Sequence, residues 1–297
     1  MRDIRLTSLL AIGALSCLSA CGAEREAGAG ESEATLDTMQ VEVQVGLPAD
    51  ADGAQARLDT SPRHGEWVKY EAGEGDSVSA WVVYPERSDR APVVIVIHEI
   101  YGLTDWIRAV ADQLAAEGFV AIAPDLLSGK GPDGGGTESV DRDGAVQLVR
   151  GLDRDEVNRR LDGAVQYATS LPAARPEFAS MGFCWGGSTS FLYATAQPDL
   201  DAAVVYYGTS PAAEPLAHVE APVLGLYGGD DARVNATIAP AEEEMKRLEK
   251  RYEYAVYEGA GHGFLRQQQG REGANMRATE QAWPRTVAFL KAELGDG

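Results

Sequence analysis

Cys184 stands between glycines in a setting that suits a nucleophile. The run Gly-Phe-Cys-Trp-Gly-Gly occupies positions 182–187, with a strand-like stretch before it at 177–181 and a helix-like stretch after it at 188–196. A sharp strand-to-helix turn with flanking glycines is a nucleophile elbow, which holds the nucleophile at the carboxyl edge of a sheet, near the positive end of a helix. That position favours a thiolate. The alternative is an inert, buried cysteine in a glycine-rich turn.

A thiol nucleophile needs a base, and the base needs an acid that orients it. Of the four histidines, His262 lies in a glycine-rich loop after the last predicted strand, and its alternative is an exposed loop histidine. Asp231 follows the predicted strand 222–227, and the neighbouring Asp230 competes for the role of the acid. We prefer Asp231 because the spacing Gly-x-x-Asp-x-x-Val is similar to that of hydrolases with a nucleophile elbow, which share this chain order of nucleophile, acid and histidine.

The segment after the predicted central strand supplies the remaining polar groups. Residues 98–100, His-Glu-Ile, follow a β-branched run. In a hydrolase fold this loop gives one amide of the oxyanion hole and the residue after the nucleophile gives the other, which predicts the N–H groups of Ile100 and Trp185. Glu99 adds a carboxylate beside the hole, an arrangement that suits a contact with the cysteine. The alternative is a polar strand end without a catalytic role.

Strands and helices alternate through the body of the chain. Polar–apolar alternation at 66–71 and 77–84 predicts an antiparallel hairpin at a sheet edge, and the run 92–97 predicts a central strand covered on both faces. The pattern predicts an α/β fold with a mostly parallel central sheet and helices on both faces. Further strands are predicted at 119–123, 202–207, 222–227 and 252–256, and helices at 106–117, 153–170, 239–251 and 278–294, with a boundary or kink at Pro284.

The beginning of the chain has the pattern of an export signal. Residues 1–20 combine a basic start with an apolar run too short to span a bilayer, which predicts a signal peptide. The sequence Leu-Ser-Ala-Cys at 18–21 is similar to a bacterial lipobox and predicts lipidation of Cys21. We therefore expect an exported protein, anchored through lipid to a bacterial membrane on its periplasmic or outer surface. Ordinary signal cleavage near Ala20 is the alternative.

The segment that follows the lipobox is poor in large apolar residues. Small and acidic residues dominate 21–62, which predicts a flexible tether, with a strand-like alternation only at 39–45. The predicted folded domain is 63–297. Its glycine-rich run 129–136 lacks the spacing of a phosphate loop and predicts a mobile surface loop. We expect no cofactor and no metal.

Cysteine usage and net charge narrow the classes of function. Cys17 leaves with the predicted signal and Cys21 would carry lipid, so Cys184 would be the only free thiol of the mature protein. Removal of residues 1–20 takes away two arginines and one aspartate, which leaves 24 basic and 45 acidic residues and a net charge of −21. Such a surface repels phosphate backbones and excludes nucleic acid as a partner.

Five motifs together resemble the dienelactone hydrolase (carboxymethylenebutenolidase) family of the α/β-hydrolase superfamily. They are His-Glu-Ile-Tyr-Gly at 98–102, Ala-Pro-Asp-Leu at 123–126, Gly-Phe-Cys-Trp-Gly-Gly at 182–187, Gly-Gly-Asp-Asp-Ala-Arg-Val at 228–234 and Gly-His-Gly-Phe at 261–264. The resemblance covers residues 66–294 and implies the α/β-hydrolase fold. It also implies a triad of Cys184, His262 and Asp231, with Glu99 holding the resting thiol and helping to activate it when substrate binds.

The resemblance also implies how a substrate is held. Members of the family grip the substrate's carboxylate with two arginines, which Arg266, four residues after His262, and Arg142 match here. An exported lipoprotein departs from the cytoplasmic degradative enzymes of the family, so dienelactone itself does not follow as the substrate. The function expected is a cysteine hydrolase of esters or lactones that works through an acyl-enzyme. The alternatives are a membrane-tethered binding protein without turnover and a thioesterase or redox thiol protein.

Overall fold

The computed structural model describes residues 46–73 and 75–295, and eight strands of this part form one sheet. The predicted signal peptide, the lipidation site Cys21 and the strand-like alternation at 39–45 lie outside the described residues. The strands are, in chain order, β1 (Gly65–Glu71), β2 (Ser77–Val83), β3 (Ala91–Ile97), β4 (Val120–Pro124), β5 (Ala174–Phe183), β6 (Ala202–Tyr206), β7 (Val223–Gly228) and β8 (Tyr252–Tyr257).

Nine α-helices lie within the same described ranges. The last helix continues through Pro284, where the sequence predicts a boundary or a kink. Among these helices, none has the length and apolar character needed to cross a bilayer. They are α1 (Ala54–Thr60), α2 (Asp105–Ala116), α3 (Arg142–Arg150), α4 (Arg154–Ser170), α5 (Trp185–Tyr193), α6 (Ala213–Leu216), α7 (Ala232–Asn235), α8 (Ile238–Arg247) and α9 (Ala274–Leu294).

The order of the strands brings the ends of six parallel strands to one edge. The sheet order is β1-β2-β4-β3-β5-β6-β7-β8, with β1, β2 and β4 joined antiparallel and all other neighbours parallel. The predicted edge hairpin and the mostly parallel sheet are thereby confirmed. Because parallel strands share a direction, the loops after β3, β4, β5, β6, β7 and β8 all open at the same edge of the sheet. The candidate site residues that follow β3, β5, β7 and β8 lie at that edge.

Two apolar layers cover the two faces of the sheet, as the sequence predicts. The central strand β3 is buried at every position. Val94 and Val96 join a core that contains α2 and α9, whereas Val93, Ile95 and Ile97 join a core that contains α4, α5 and α8. This alternation follows from the two-residue period of a strand. The continuous β-branched run is therefore explained by helices on both sides.

The predicted tether is wrong for its described part, residues 46–62. These residues pack on the folded domain: Ala54 is buried, and Leu47 and Leu58 lie against the core that contains α2. Three apolar contacts are few, which is why composition alone predicts disorder. Hydrogen bonds to α2 supply the rest, since Arg57 pairs with Asp112 at 2.8 Å. The folded domain thus begins before residue 63.

Candidate active site

Cys184 links β5 to α5 in a backbone conformation that few residues adopt. Its φ and ψ are 57° and −115°, a strain that costs on the order of 1–3 kcal/mol and is typical of functional sites. The glycines around it are required. A Cβ on Gly182 would lie 1.9 Å from the carbonyl oxygen of Gly186, and a Cβ on Gly186 would lie 2.3 Å from that of His98. The packing therefore fixes the thiol at the beginning of α5.

Two backbone amides converge on the Cys184 thiol. The N–H groups of Ile100 and Trp185 face the sulfur and favour its thiolate. Burial and the nearby Glu99 carboxylate outweigh them and raise the pKa of the thiol to about 11. The resting cysteine is therefore a neutral thiol at neutral pH. Two amide donors beside a nucleophile can stabilise the oxyanion of a tetrahedral intermediate.

His98 fixes the turn that carries Ile100. Its ring is fully buried and stacks on the ring of Trp185, with the centroids 5.5 Å apart. Its Nδ1 lies 2.7 Å from the carbonyl oxygen of Glu99, which can only accept, so Nδ1 carries the hydrogen. Burial lowers the pKa of His98. A neutral, stacked ring of this kind aligns the loops that carry Ile100 and Trp185 with each other.

His262 and Asp231 form a hydrogen-bonded pair at the same edge. His262 Nδ1 lies 2.5 Å from Asp231 Oδ2, and the Asp231 side chain is only 8% exposed whereas that of His262 is 35% exposed. The carboxylate accepts from Nδ1–H and leaves Nε2 as a base. Asp230, the competing acid, pairs instead with Arg271 at 2.9 Å. Helix α9 fixes the loop of His262, because Asn275 Oδ1 accepts a hydrogen bond from the Gly261 N–H at 3.0 Å.

Glu99 is a buried carboxylate between the thiol and a guanidinium. Its Oε2 lies 2.9 Å from Arg266 Nε, in an ion contact that is not aligned as a hydrogen bond. Burial raises the pKa of Glu99 to about 7, although Arg266 and, less strongly, Arg142 lower it. Glu99 therefore changes its protonation near neutral pH. A carboxylate with such a pKa can exchange a proton with a neighbouring group during a reaction.

A cavity of about 380 Å³ opens beside the Glu99–Arg266 pair. Arg142 lies over one face of Tyr101 with its Cζ 3.9 Å from the ring centroid, and Arg266 Cζ lies 5.4 Å from the same centroid. Cys184 and His262 are not among the walls of the cavity, whereas Glu99, whose carboxylate lies near the Cys184 thiol, is one of them. The lining residues are Ala51, Glu99, Tyr101, Thr104, Asp105, Trp106, Thr137, Val140, Asp141, Arg142, Ala145 and Arg266.

Tyr207 is a site residue that sequence reasoning missed. It follows β6 with a φ of 40°, and its ring meets that of His262 edge-on, with the centroids 5.2 Å apart. The hydroxyl is buried without a hydrogen-bond partner, and burial raises the pKa of Tyr207 well above its usual value. The available signal was a pair of tyrosines, at 206 and 207, at the end of a predicted buried strand.

The fold and the site together define the class of the protein. A strained nucleophile after β5, an acid after β7 and a histidine after β8 are the arrangement of the α/β-hydrolases. The model of the dienelactone hydrolase family matches residues 78–294. The chain therefore belongs to the dienelactone hydrolase family, which confirms the predicted fold and the resemblance carried by the five motifs. It is a carboxylic ester hydrolase.

Individual relatives agree with this assignment. A protein of Salmonella typhimurium, named "Putative carboxymethylenebutenolidase", is 33% identical over 230 residues, which cover 73% of this chain and 83% of that protein. A protein of Bradyrhizobium, named "Probable 2-oxo-3-(5-oxofuran-2-ylidene)propanoate lactonase", is 31% identical and covers 77% of this chain and 94% of its own length. The crystal structure of a "Putative Dienelactone Hydrolase" from Klebsiella pneumoniae superposes with a TM-score of 0.65 at 28% identity, covering 76% of this chain and 98% of that one.

Proposed function

We propose that this protein hydrolyses an ester or lactone with Cys184 as the nucleophile, through an acyl-enzyme. The observation that carries the proposal is the position of Cys184, held at a φ of 57° with the N–H groups of Ile100 and Trp185 directed at its sulfur. His262, oriented by Asp231, lies at the same edge of the sheet. A nucleophile, an oxyanion hole and an oriented base are the groups that acyl transfer requires.

The first step is the activation of a thiol that is neutral at rest. A substrate carboxylate that binds Arg266 draws the guanidinium's charge away from Glu99, whose pKa the guanidinium lowers. Glu99 then becomes a stronger base and takes the proton of Cys184. The thiolate attacks the carbonyl carbon, and the Ile100 and Trp185 amides hold the resulting oxyanion. Activation therefore depends on binding, which protects the idle thiol from oxidation.

The second step releases the acid and restores the thiol. The tetrahedral intermediate collapses, the carbon–oxygen bond of the ester breaks, and the leaving oxygen takes the proton from Glu99. His262 Nε2 then accepts a proton from a water molecule, whose oxygen attacks the carbonyl carbon of the acyl-enzyme. When that bond breaks, the imidazolium returns the proton to the Cys184 sulfur. The sum is one ester and one water converted to an acid and an alcohol.

The substrate class follows from the two arginines of the cavity. Arg142 and Arg266 lie against Tyr101, and guanidinium groups bind carboxylates through a planar pair of donors. On a strongly acidic protein, a local positive site also lets an anion approach. The substrate named for the Bradyrhizobium relative is itself a lactone that carries a carboxylate. We therefore assign esters or lactones with a carboxylate near the scissile bond as the substrates.

A panel of lactones, aryl esters and thioesters tests this function. The soluble protein from residue 22 onward is assayed before and after alkylation with iodoacetamide. We expect turnover of esters and lactones, with preference for those that carry a carboxylate, and loss of turnover after alkylation. Turnover that survives complete alkylation of Cys184 would contradict the cysteine mechanism. Turnover of thioesters alone would indicate a thioesterase.

We also propose that the protein is exported and attached to a bacterial membrane through lipid on Cys21. The support is the lipobox-like sequence Leu-Ser-Ala-Cys at 18–21, directly after the apolar run. In the native bacterium, we expect the full-length protein to fractionate with membranes and to carry acyl mass on an N-terminal Cys21. The Cys21→Ala variant should leave the membrane fraction and keep its esterase activity. Membrane-extracted protein without added acyl mass would contradict lipidation.

A further inference from the structure

Residues 46–62, here called the N-terminal strap, fold into a hairpin along α2. The Gly46 carbonyl accepts a hydrogen bond from Gln113 Nε2 at 3.0 Å, near the end of α2. Three residues on, the Ala49 carbonyl accepts from Trp106 Nε1 at 3.1 Å, in the first turn of α2. Helix α1 then returns, and Arg57 Nη2 donates to Gln113 Oε1 at 2.6 Å. Gln113 thus holds both arms of the hairpin, and the tip lies at the beginning of α2.

Helix α2 carries buried polar groups whose partners come from the strap and the residue that follows it. The Asp112 side chain is 3% exposed and contacts Arg57 at 2.8 Å, Arg63 at 2.7 Å and the hydroxyl of Ser61. Burial alone would raise the pKa of Asp112, but these donors lower it below its usual value. A carboxylate and an amide buried on a helix are unfavourable without partners. Helix α2 is therefore adapted to a docked strap.

The tip of the strap reaches the active-site cavity. Ala51 is one of the residues that line it. The Ala51 N–H donates to the carbonyl oxygen of Arg266 at 2.9 Å, and Gln268 Nε2 donates to the carbonyl oxygen of Pro48 at 2.9 Å. The strap thus holds the loop of Arg266 at two points, one of them on Arg266 itself. All of its residues precede position 78, where the match to the family model begins.

We propose that the N-terminal strap determines substrate specificity, with Ala51 as a wall of the substrate cavity and as a positioning residue for Arg266. The proposal rests on the proposed function, because it assigns the cavity to the part of the substrate that carries the carboxylate. Because the alanine side chain is small, position 51 takes up little of the cavity's volume. The hydrogen bond to the Arg266 carbonyl fixes the backbone from which the guanidinium extends toward Glu99 and the substrate.

The first test compares Ala51→Trp with Ala56→Trp, a matched change at an exposed position of α1 away from the cavity. The substrates are p-nitrophenyl acetate and the mono-p-nitrophenyl ester of adipic acid. For Ala51→Trp we expect the ratio of kcat/KM for the adipate ester to that for the acetate to fall about 10-fold, mainly through KM. Ala56→Trp should keep the wild-type ratio. An unchanged ratio in Ala51→Trp, or an equal fall in both variants, would overturn the proposal.

A second variant tests positioning without filling the cavity. Gln268→Leu removes the hydrogen bonds to the carbonyl oxygens of Pro48 and Leu265 but leaves every cavity wall in place. We expect the same ratio to fall about 5-fold, through KM for the adipate ester. A purely structural contact would instead lower the melting temperature, followed by circular dichroism, and lower kcat/KM for both esters by the same factor. That result would overturn the positioning role.

A binding measurement separates this proposal from the proposed function. If the wild-type protein hydrolyses neither of these esters nor any ester or lactone of the panel, the proposed function fails, and calorimetry with adipate then tests the strap alone. Weaker adipate binding by Ala51→Trp than by Ala56→Trp would support the strap as a wall of an anion site. Equal binding by the two variants, or no binding by the wild-type protein, would overturn it.

Discussion

Arg266 Nε lies 2.9 Å from Glu99 Oε2, and the same carboxylate helps to raise the pKa of Cys184. The guanidinium, the carboxylate and the thiol thus form a chain in which each charge affects the next. Arg266 lowers the pKa of Glu99, and a negative Glu99 keeps the proton on Cys184. A ligand that engages Arg266 can therefore change the protonation of Cys184. This relationship leads to the first two predictions.

Removal of the Glu99 charge should change how stability depends on pH. The pKa of Glu99 is about 7 in the folded protein against a usual value of 4.5. Between these values the folded state holds a proton that the unfolded state has lost, so the Glu99 contribution to the free energy of unfolding is present at low pH and is lost as the pH rises through 7. Between pH 4 and pH 8, the free energy of unfolding of Glu99→Gln should therefore rise by up to about 3 kcal/mol relative to that of the wild-type protein.

Urea denaturation at a series of pH values measures this difference. Glu214→Gln, at an exposed position of α6, is the matched control and should follow the wild-type curve. A Glu99→Gln curve parallel to wild type across the whole range would show that Glu99 titrates as an ordinary carboxyl group.

Truncation of Arg266 should weaken the recognition of substrate carboxylates. We expect Arg266→Ala to lower kcat/KM more for a carboxylate-bearing lactone or ester than for a neutral aryl ester. The difference should correspond to about 2–3 kcal/mol of transition-state stabilisation, the range for hydrogen bonds to charged groups. The variant also removes a cation that lowers the pKa of Glu99, so that pKa should rise further. Steady-state kinetics on matched substrate pairs measures the effect, with Arg277→Ala as an exposed control on α9. An equal fall in kcat/KM for both substrates would contradict carboxylate recognition and would mean that Arg266 only supports its loop.

The two neighbouring aspartates should differ strongly in their effect on turnover. Asp231→Asn removes the acceptor that holds His262 Nδ1–H, and it should lower kcat by at least about 100-fold because the imidazole loses its orientation and tautomer. Asp230→Asn breaks only an exposed pair with Arg271, and such pairs contribute about 0–1 kcal/mol. Its kcat should stay near wild type. Comparable losses in the two variants would contradict the assignment of the acid.

The glycine spacing and the strand patterns were sufficient to predict the core of this site. Gly182 and Gly186 leave no room for a side chain, and this local constraint is readable from the sequence. Likewise, parallel β-branched strands must share an edge, which brings the loops of Asp231 and His262 to Cys184. These inferences needed no knowledge of distant contacts.

The strap and the aromatic contacts could not be predicted in the same way. The strap docks through Arg57 and Asp112, which are 55 positions apart, and through three modest apolar contacts, so its composition resembles a linker. Tyr207 reads as one more apolar residue at the end of a strand, and only the fold places its ring against His262. Both depend on tertiary contacts, which neither composition nor periodicity reports.

The proposed mechanism requires a covalent bond between the acyl group and Cys184. The direct measurement is intact-mass analysis, with peptide mapping, of the His262→Ala variant quenched after mixing with the mono-p-nitrophenyl ester of adipic acid, whose free carboxylate can engage Arg266. This variant keeps Cys184, Glu99 and both oxyanion amides but lacks the base for the second step, so the acyl-enzyme should accumulate. We expect the mass of one adipoyl group, located on Cys184, and no adduct in the double variant that also carries Cys184→Ala. An adduct on another residue, or ester turnover by Cys184→Ala alone at the wild-type rate, would contradict Cys184 as the nucleophile.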